Sequence, residues 1–318
     1  MIKQIIILGL LLVLLISSCS TYTAFYSKTV TSVDTSTSFS KTHRIDLSHQ
    51  NLTILPKAIT KLPSLKMLDL TGNTSLDLDK AFQSLQYPNQ LEILILDSLS
   101  ISTLPKSILR FKHLKQLSLG YNPGINLDIV FNQINKLPLA FLNLKENKIK
   151  KLPSSISSLK LLRDLNLSYN QLTDEKSYTY IGSIPKLYSL WLDHNKLTKL
   201  PPTINTISQI RYLYIDHNDL LELPKEISGM SKVWVIHAGF NKFKELPKAL
   251  IGMKALLMVY INNNDITSFP VEYEKGNYSL KGLLLDNNPI STQERIHAKK
   301  IFKGFFLLSF EQKLYPSK

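Results

Sequence analysis

The chain has 318 residues, 44% of them hydrophobic and 9% aromatic, with a formal charge of +14 and a single cysteine. That content suffices for a sizeable core, and one cysteine excludes any internal disulfide. The 38 lysines and arginines are scattered rather than clustered, and no helix-turn-helix, zinc-finger or Gly-rich phosphate-loop pattern occurs. The charge therefore reads as a solvated outer surface, and nucleic acid is not an expected partner.

Residues 1–18 read as a signal peptide. Lys3 supplies the positive start, and residues 5–16 form an apolar run of signal-peptide length, short for a membrane span. Ile16-Ser17-Ser18-Cys19 then resembles the bacterial lipobox, an aliphatic and two small residues before a cysteine. The resemblance implies cleavage before Cys19 and acylation of that residue. Each acyl CH₂ buried in a membrane would contribute roughly 0.8 kcal/mol to the anchor. Ser20, in place of an aspartate, fits export to the outer membrane or cell surface.

Residues 19–40 would form a tether. Thr21, Thr23, Thr29, Thr31, Ser32, Thr35, Ser36 and Thr37 dominate a stretch too polar to build a core alone. At about 3.3 Å per residue it could reach roughly 60–70 Å. The stretch 39–46 carries a candidate first capping strand.

From residue 41 to 290 the chain repeats. One position is filled in turn by Gln50, Asn73, Leu99, Asn122, Asn147, Asn170, Asn195, Asn218, Asn241, Asn264 and Asn288, at intervals of 23 to 26 residues. Around it recurs L-x-x-L-x-L-x-x-N-x-L, seen at Leu187, Leu190, Leu192, Asn195 and Leu197. Many units close on L-P-x-x-I, as at Leu152-Pro153 with Ile156 and Leu223-Pro224 with Ile227. In these motifs the chain resembles leucine-rich-repeat proteins of the 23-residue type. With the lipobox it resembles a bacterial leucine-rich-repeat lipoprotein of the cell envelope. The resemblance implies an α/β repeat fold: a right-handed solenoid of about eleven repeats, with a short-stranded parallel sheet on its concave face.

The unit also makes sense physically. The aliphatic pair in L-x-L faces inward from a short strand, and the asparagine amide can satisfy backbone groups where the chain turns off it. Proline fixes φ at the start of the return, which Ile and Leu pin to the core. No unit buries its apolar face alone, so stability comes from stacking. Leu99 breaks the asparagine series and should leave a gap for an apolar contact or water. The long units after Asn73, Asn122 and Asn170 lack L-P and carry instead Leu76-Asp77-Leu78, Ile125-Asn126-Leu127 and Leu172-Thr173-Asp174. Short convex helices are expected there, such as 78–85 and 129–134. Residues 291–318 should cap the array, with Ser291 and Glu294 as a capping box, a helix over 293–302, Gly304 as its stop and the apolar run 305–310 covering the last unit.

Function would lie on the variable strand positions. Four residues before the ladder position the series runs Asn166, Trp191, Tyr214, His237, Tyr260, Leu284. Four consecutive rings on strands about 4.8 Å apart should form one stripe, with Tyr212 and Phe240 beside it. Such a row offers rigid contact area for a partner, although cross-strand stacking alone would also explain it. The neighbouring column holds Asp193, Asp216, Gly239, Asn262 and Asp286, acidic groups suited to a cationic or hydroxyl-rich ligand. Repetition explains the Asp193-His194 and Asp216-His217 pairs without a catalytic or metal role. The expected activity is therefore non-enzymatic recognition of a protein, peptide or glycan, with no cofactor and no metal, by Trp191, Tyr212, Tyr214, His237, Tyr260, Asp193, Asp216 and Phe240. A structural envelope spacer without a ligand is the competing reading.

Overall fold

In the computed structural model, residues 29–31 and 42–311 are described. The expected signal peptide, Cys19, most of the expected tether and residues 312–318 lie outside them.

Among the described residues, thirteen strands form one parallel sheet in strict sequence order. They are β1 (Thr29–Val30), β2 (Arg44–Asp46), β3 (Met67–Asp69), β4 (Ile93–Ile95), β5 (Gln116–Ser118), β6 (Phe141–Asn143), β7 (Asp164–Asn166), β8 (Ser189–Trp191), β9 (Tyr212–Tyr214), β10 (Val235–His237), β11 (Met258–Tyr260), β12 (Gly282–Leu284) and β13 (Leu307–Ser309). Each three-residue strand centres on an aliphatic residue, leucine in most units and Ile45, Ile236 or Val259 in three. The central residues of β2–β12, from Ile45 to Leu283, are buried, and so is the aliphatic residue two positions later. One continuous core runs the length of the stack.

Each end carries a strand beyond the eleven repeat units. β1 pairs with β2 inside the stretch expected to be tether, and the Gln50 amide donates to Thr31 O at 2.9 Å. The sheet thus begins earlier than composition suggests, because strand pairing is made by backbone groups that any composition supplies. At the other end Ser291 accepts from Glu294 N at 3.2 Å and caps a helix over Thr292–Ile301. The apolar run that follows forms β13 and pairs with β12. Phe302 is buried against Phe269, Tyr273, Tyr278 and Phe305, sealing the last unit.

The asparagine ladder performs the backbone accounting the sequence implies. Asn218 Nδ2 donates to the carbonyls of Leu192, Ile215 and Asp216 at 3.0–3.1 Å. Its Oδ1 accepts from the N–H groups of Asn195 and Leu197. The same pattern recurs at Asn170 and Asn195. At Leu99 no water is needed. Its side chain is buried in the core, and the orphaned Asn73 N–H turns back to Leu70 O at a long 3.4 Å. The residue just before the ladder position is left-handed in every unit, with φ between 51° and 57° where it is not glycine. At Gly72, φ is +76° and a Cβ would fall 2.4 Å from the His49 ring, so glycine there makes room for His49.

The alternation of long and short units has a simple cause. The departures in the long units are helix caps. Asp77 accepts from Lys80 N at 3.0 Å, Asn126 from Ile129 N at 3.2 Å and Asp174 from Ser177 N at 2.8 Å. They start α-helices over Leu78–Ser84, Leu127–Ile134 and Glu175–Gly182. The second starts two residues before the expected 129, and the third lies in the unit after Asn170, where a helix is expected without stated bounds. In most L-P units the proline instead leads into a single 3₁₀ turn, such as Lys225–Gly229, which needs fewer residues per crossing.

Candidate functional site

Parallel pairing in register places residues of successive units side by side. Trp191 pairs with Tyr214, Tyr214 with His237, and His237 with Tyr260. Their rings stack nearly face to face, with centroids 5.0, 4.5 and 4.3 Å apart and interplanar angles of 7°, 19° and 6°. All four are half-buried. Phe141 meets Trp191 edge-on at 6.4 Å and ends the stack on its N-terminal side. Stripe and cross-strand stack are therefore one object: ring faces cover one another, and ring edges border the concave space.

A second stack lies parallel to the first, at the left-handed position before each ladder residue. Tyr169, His194, His217 and Phe240 stack at 4.0, 4.2 and 4.0 Å, tilted by no more than 14°. Lys145 Nζ sits 4.4 Å over the Tyr169 ring, a cation–π contact at the N-terminal end. Phe240 belongs to this row and is 46% exposed. Tyr169, His194 and His217 are not grouped as a row among the sequence expectations. The signal was present, since one subtraction from the ladder position yields all four, but the histidines looked like halves of Asp-His pairs. Among the described residues, no hydrogen bond joins Asp193 or Asp216 to these rings. Asp193 accepts from the Ser168 hydroxyl at 2.6 Å, and Asp216 from Gly239 N at 2.8 Å.

Tyr212 corrects the expected surface. It lies on the concave side but is only 5% exposed, packed with Val235 and Met258 against Tyr188, Tyr214 and Tyr260. Neighbours on the adjoining strands cover it, so Tyr212 supports the surface rather than meeting a ligand. At the strand-entry edge, cations and rings interleave. Arg163 lies 5.3 Å over Tyr188, and Arg211 lies 5.0 Å over Trp234.

Burial shifts two groups strongly. His237, sandwiched between tyrosines, is pushed down to about 4, because the enclosed ring disfavours the imidazolium. Burial raises Asp216 to about 7, aided by the like charge of Asp193 and opposed by the Gly239 N–H. His194 is lowered by burial and then by His217. Near neutrality the stacks are thus uncharged at His237, while Asp216 is poised between its two forms.

No family model and no curated protein matches the sequence. Solved structures do match. An internalin from Listeria monocytogenes aligns at 19% identity over 86% of this chain and 75% of its own, with a TM-score of 0.58. TLR13, solved in complex with ssRNA13, aligns at 19% identity over 87% of this chain, with a TM-score of 0.68. The plant peptide hormone receptor RGFR1, solved in complex with RGF2, aligns at 21% identity over 91%, with a TM-score of 0.52. This chain spans 44% of the TLR13 chain and 50% of the RGFR1 chain. At these identities the likeness shows the fold, a leucine-rich-repeat solenoid.

Proposed function

We propose that this chain is a lipid-anchored, non-enzymatic recognition protein that binds a protein or peptide across the concave face of its C-terminal repeats. The observation that carries this reading is the double row of rings, from Trp191 to Tyr260 and from Tyr169 to Phe240, lying side by side on a rigid sheet. Such pre-packed rings lose little rotamer entropy on binding, which favours contact hot spots.

The stacking geometry favours a polypeptide over a glycan. A sugar ring packs on an aromatic face, and within each row the faces are occupied by neighbouring rings. Ring edges, the phenol hydroxyls and the imidazoles suit hydrogen bonds and side-chain contacts along an extended or folded polypeptide. The solved complex of RGFR1 with RGF2 shows that a fold of this kind accommodates a partner, and supports the reading at the level of fold.

Selection of a random peptide library on the immobilised chain tests this. Binders sharing a motif are expected, and their binding should be lost in Trp191→Ala/Tyr214→Ala while far-UV CD and cooperative melting persist. Binders indifferent to that double variant, or no saturable binder, would sink the reading and favour the spacer. Anchoring through Cys19 rests on the lipobox and has a separate test. In a bacterial host, Cys19→Ser should abolish incorporation of labelled palmitate and release the protein from the membrane fraction.

A further inference from the structure

The N-terminal half of the concave face holds a pocket of about 350 Å³, which meets the first ring stack only at Phe141. Asp69 on β3 and Asp97 in the turn after β4 line it, with Gln116 on β5. Ile93, Ile95 and Phe141 supply its apolar wall.

Each carboxylate has one oxygen committed. Asp69 Oδ1 accepts from Thr71 N at 2.9 Å and from the Thr71 hydroxyl at 2.6 Å. Asp97 Oδ1 accepts from the Ser118 hydroxyl at 2.6 Å and from Gly120 N at 2.7 Å. Among the described residues, neither Oδ2 receives a hydrogen bond, and neither aspartate forms an ion pair. No lysine or arginine lines the pocket. Lys145, whose charge reaches Asp97, is engaged over the Tyr169 ring. Burial and neighbouring like charges hold both carboxyls above their usual range, as expected of acids lacking a counter-ion. Gln116 is an independent indication. It is only 9% exposed and borders the pocket, yet its side-chain amide has no hydrogen-bond partner among the described residues. The amide group is not sealed from solvent, so it presents an unpaired donor and acceptor to whatever enters the pocket.

We propose that this pocket seats an arginine side chain of the bound polypeptide, its guanidinium held by Asp69 Oδ2, Asp97 Oδ2 and the Gln116 carbonyl, and its aliphatic stem lying on Ile93, Ile95 and Phe141. The planar fork of five donors suits two separate acid acceptors better than a point ammonium does. The apolar wall suits a three-carbon stem. In a chain of net charge +14, two uncompensated acids on one concave wall select locally for a cation that the rest of the surface repels. This inference specifies part of the partner assumed above and so rests on the polypeptide reading.

Ligand-observed NMR on the full chain tests it, with an acetylated, amidated Ala-Ala-Arg-Ala-Ala peptide as probe. Its citrulline counterpart and methyl glucoside serve as neutral comparators. The arginine peptide should bind saturably and at least about tenfold more tightly than the citrulline peptide, as for a charge-assisted contact. Asp69→Asn and Asp97→Asn, which keep the shape and an oxygen for the Thr71 and Ser118 donors, should each remove that preference. Gln116→Leu should weaken binding without abolishing the preference for charge. The ring surface is scored separately, by loss of the library binders in Trp191→Ala/Tyr214→Ala, so failure of the pocket and failure of the ring surface are separable. Equal binding of the citrulline peptide, tighter binding of the glucoside, or no saturable binding would each overturn the assignment.

Discussion

His237 and Asp216 should hold each other's pH dependence in check. The unfolded histidine titrates near 6.5 and the folded one near 4. Between those values the unfolded chain takes up a proton that the folded chain refuses, so His237 makes stability fall as pH falls. Asp216 has the opposite sign. Its folded carboxyl holds a proton up to about 7, whereas the unfolded one sheds it near 3.8. Stability therefore rises as pH falls through that window. At about 1.4 kcal/mol per pH unit, each contributes about 2 kcal/mol between pH 7 and pH 5, and the two nearly cancel. His237→Phe preserves a ring between Tyr214 and Tyr260 and removes only the histidine half. Measured against wild type by urea denaturation, it should gain about 2 kcal/mol on going from pH 7 to pH 5. Asp216→Asn should lose about 2 kcal/mol over the same change. If both variants differ from wild type by offsets that do not vary with pH, neither group is shifted and the buried-stack electrostatics are wrong.

Three further outcomes follow from packing. Asn218→Ala should cost about 3–5 kcal/mol, because it strands two N–H groups and weakens three carbonyls inside the stack; amide hydrogen exchange should show the loss at Asn195 and Leu197 first. Asp174→Ala should cost about 2 kcal/mol in a urea titration, more than Asp77→Ala does, since Asp174 also accepts from the fully buried Ser177 hydroxyl while Asp77 is solvent-facing. Leu192→Ala should cost about 2–5 kcal/mol, since Leu192 is fully buried in the continuous core; a loss under about 1 kcal/mol by calorimetry would mean the stack collapses around the gap.

Much of this protein is written in its local pattern. The interval between ladder positions sets the parallel sheet, because residues one unit apart must become neighbours on adjacent strands. From that alone Trp191, Tyr214, His237 and Tyr260 fall into one row, and Asn73 through Asn288 into another. The caps at Asp77, Asn126 and Asp174 were legible too, as short acceptors ahead of apolar runs, although they read only as missing L-P steps. What only the tertiary structure decided is how far each displayed side chain is covered. Exposure on a concave face depends on the neighbours to either side and on curvature, neither of which resides in one unit. So Tyr212 is buried by Tyr188, Val235 and Met258, and Tyr169 joins two histidines and Phe240 in a second stack. Asp69 and Asp97, 28 residues apart along the chain, meet at one pocket with Gln116. The repeat period determines who stands beside whom; the curvature of the assembled sheet determines who remains in reach of a partner.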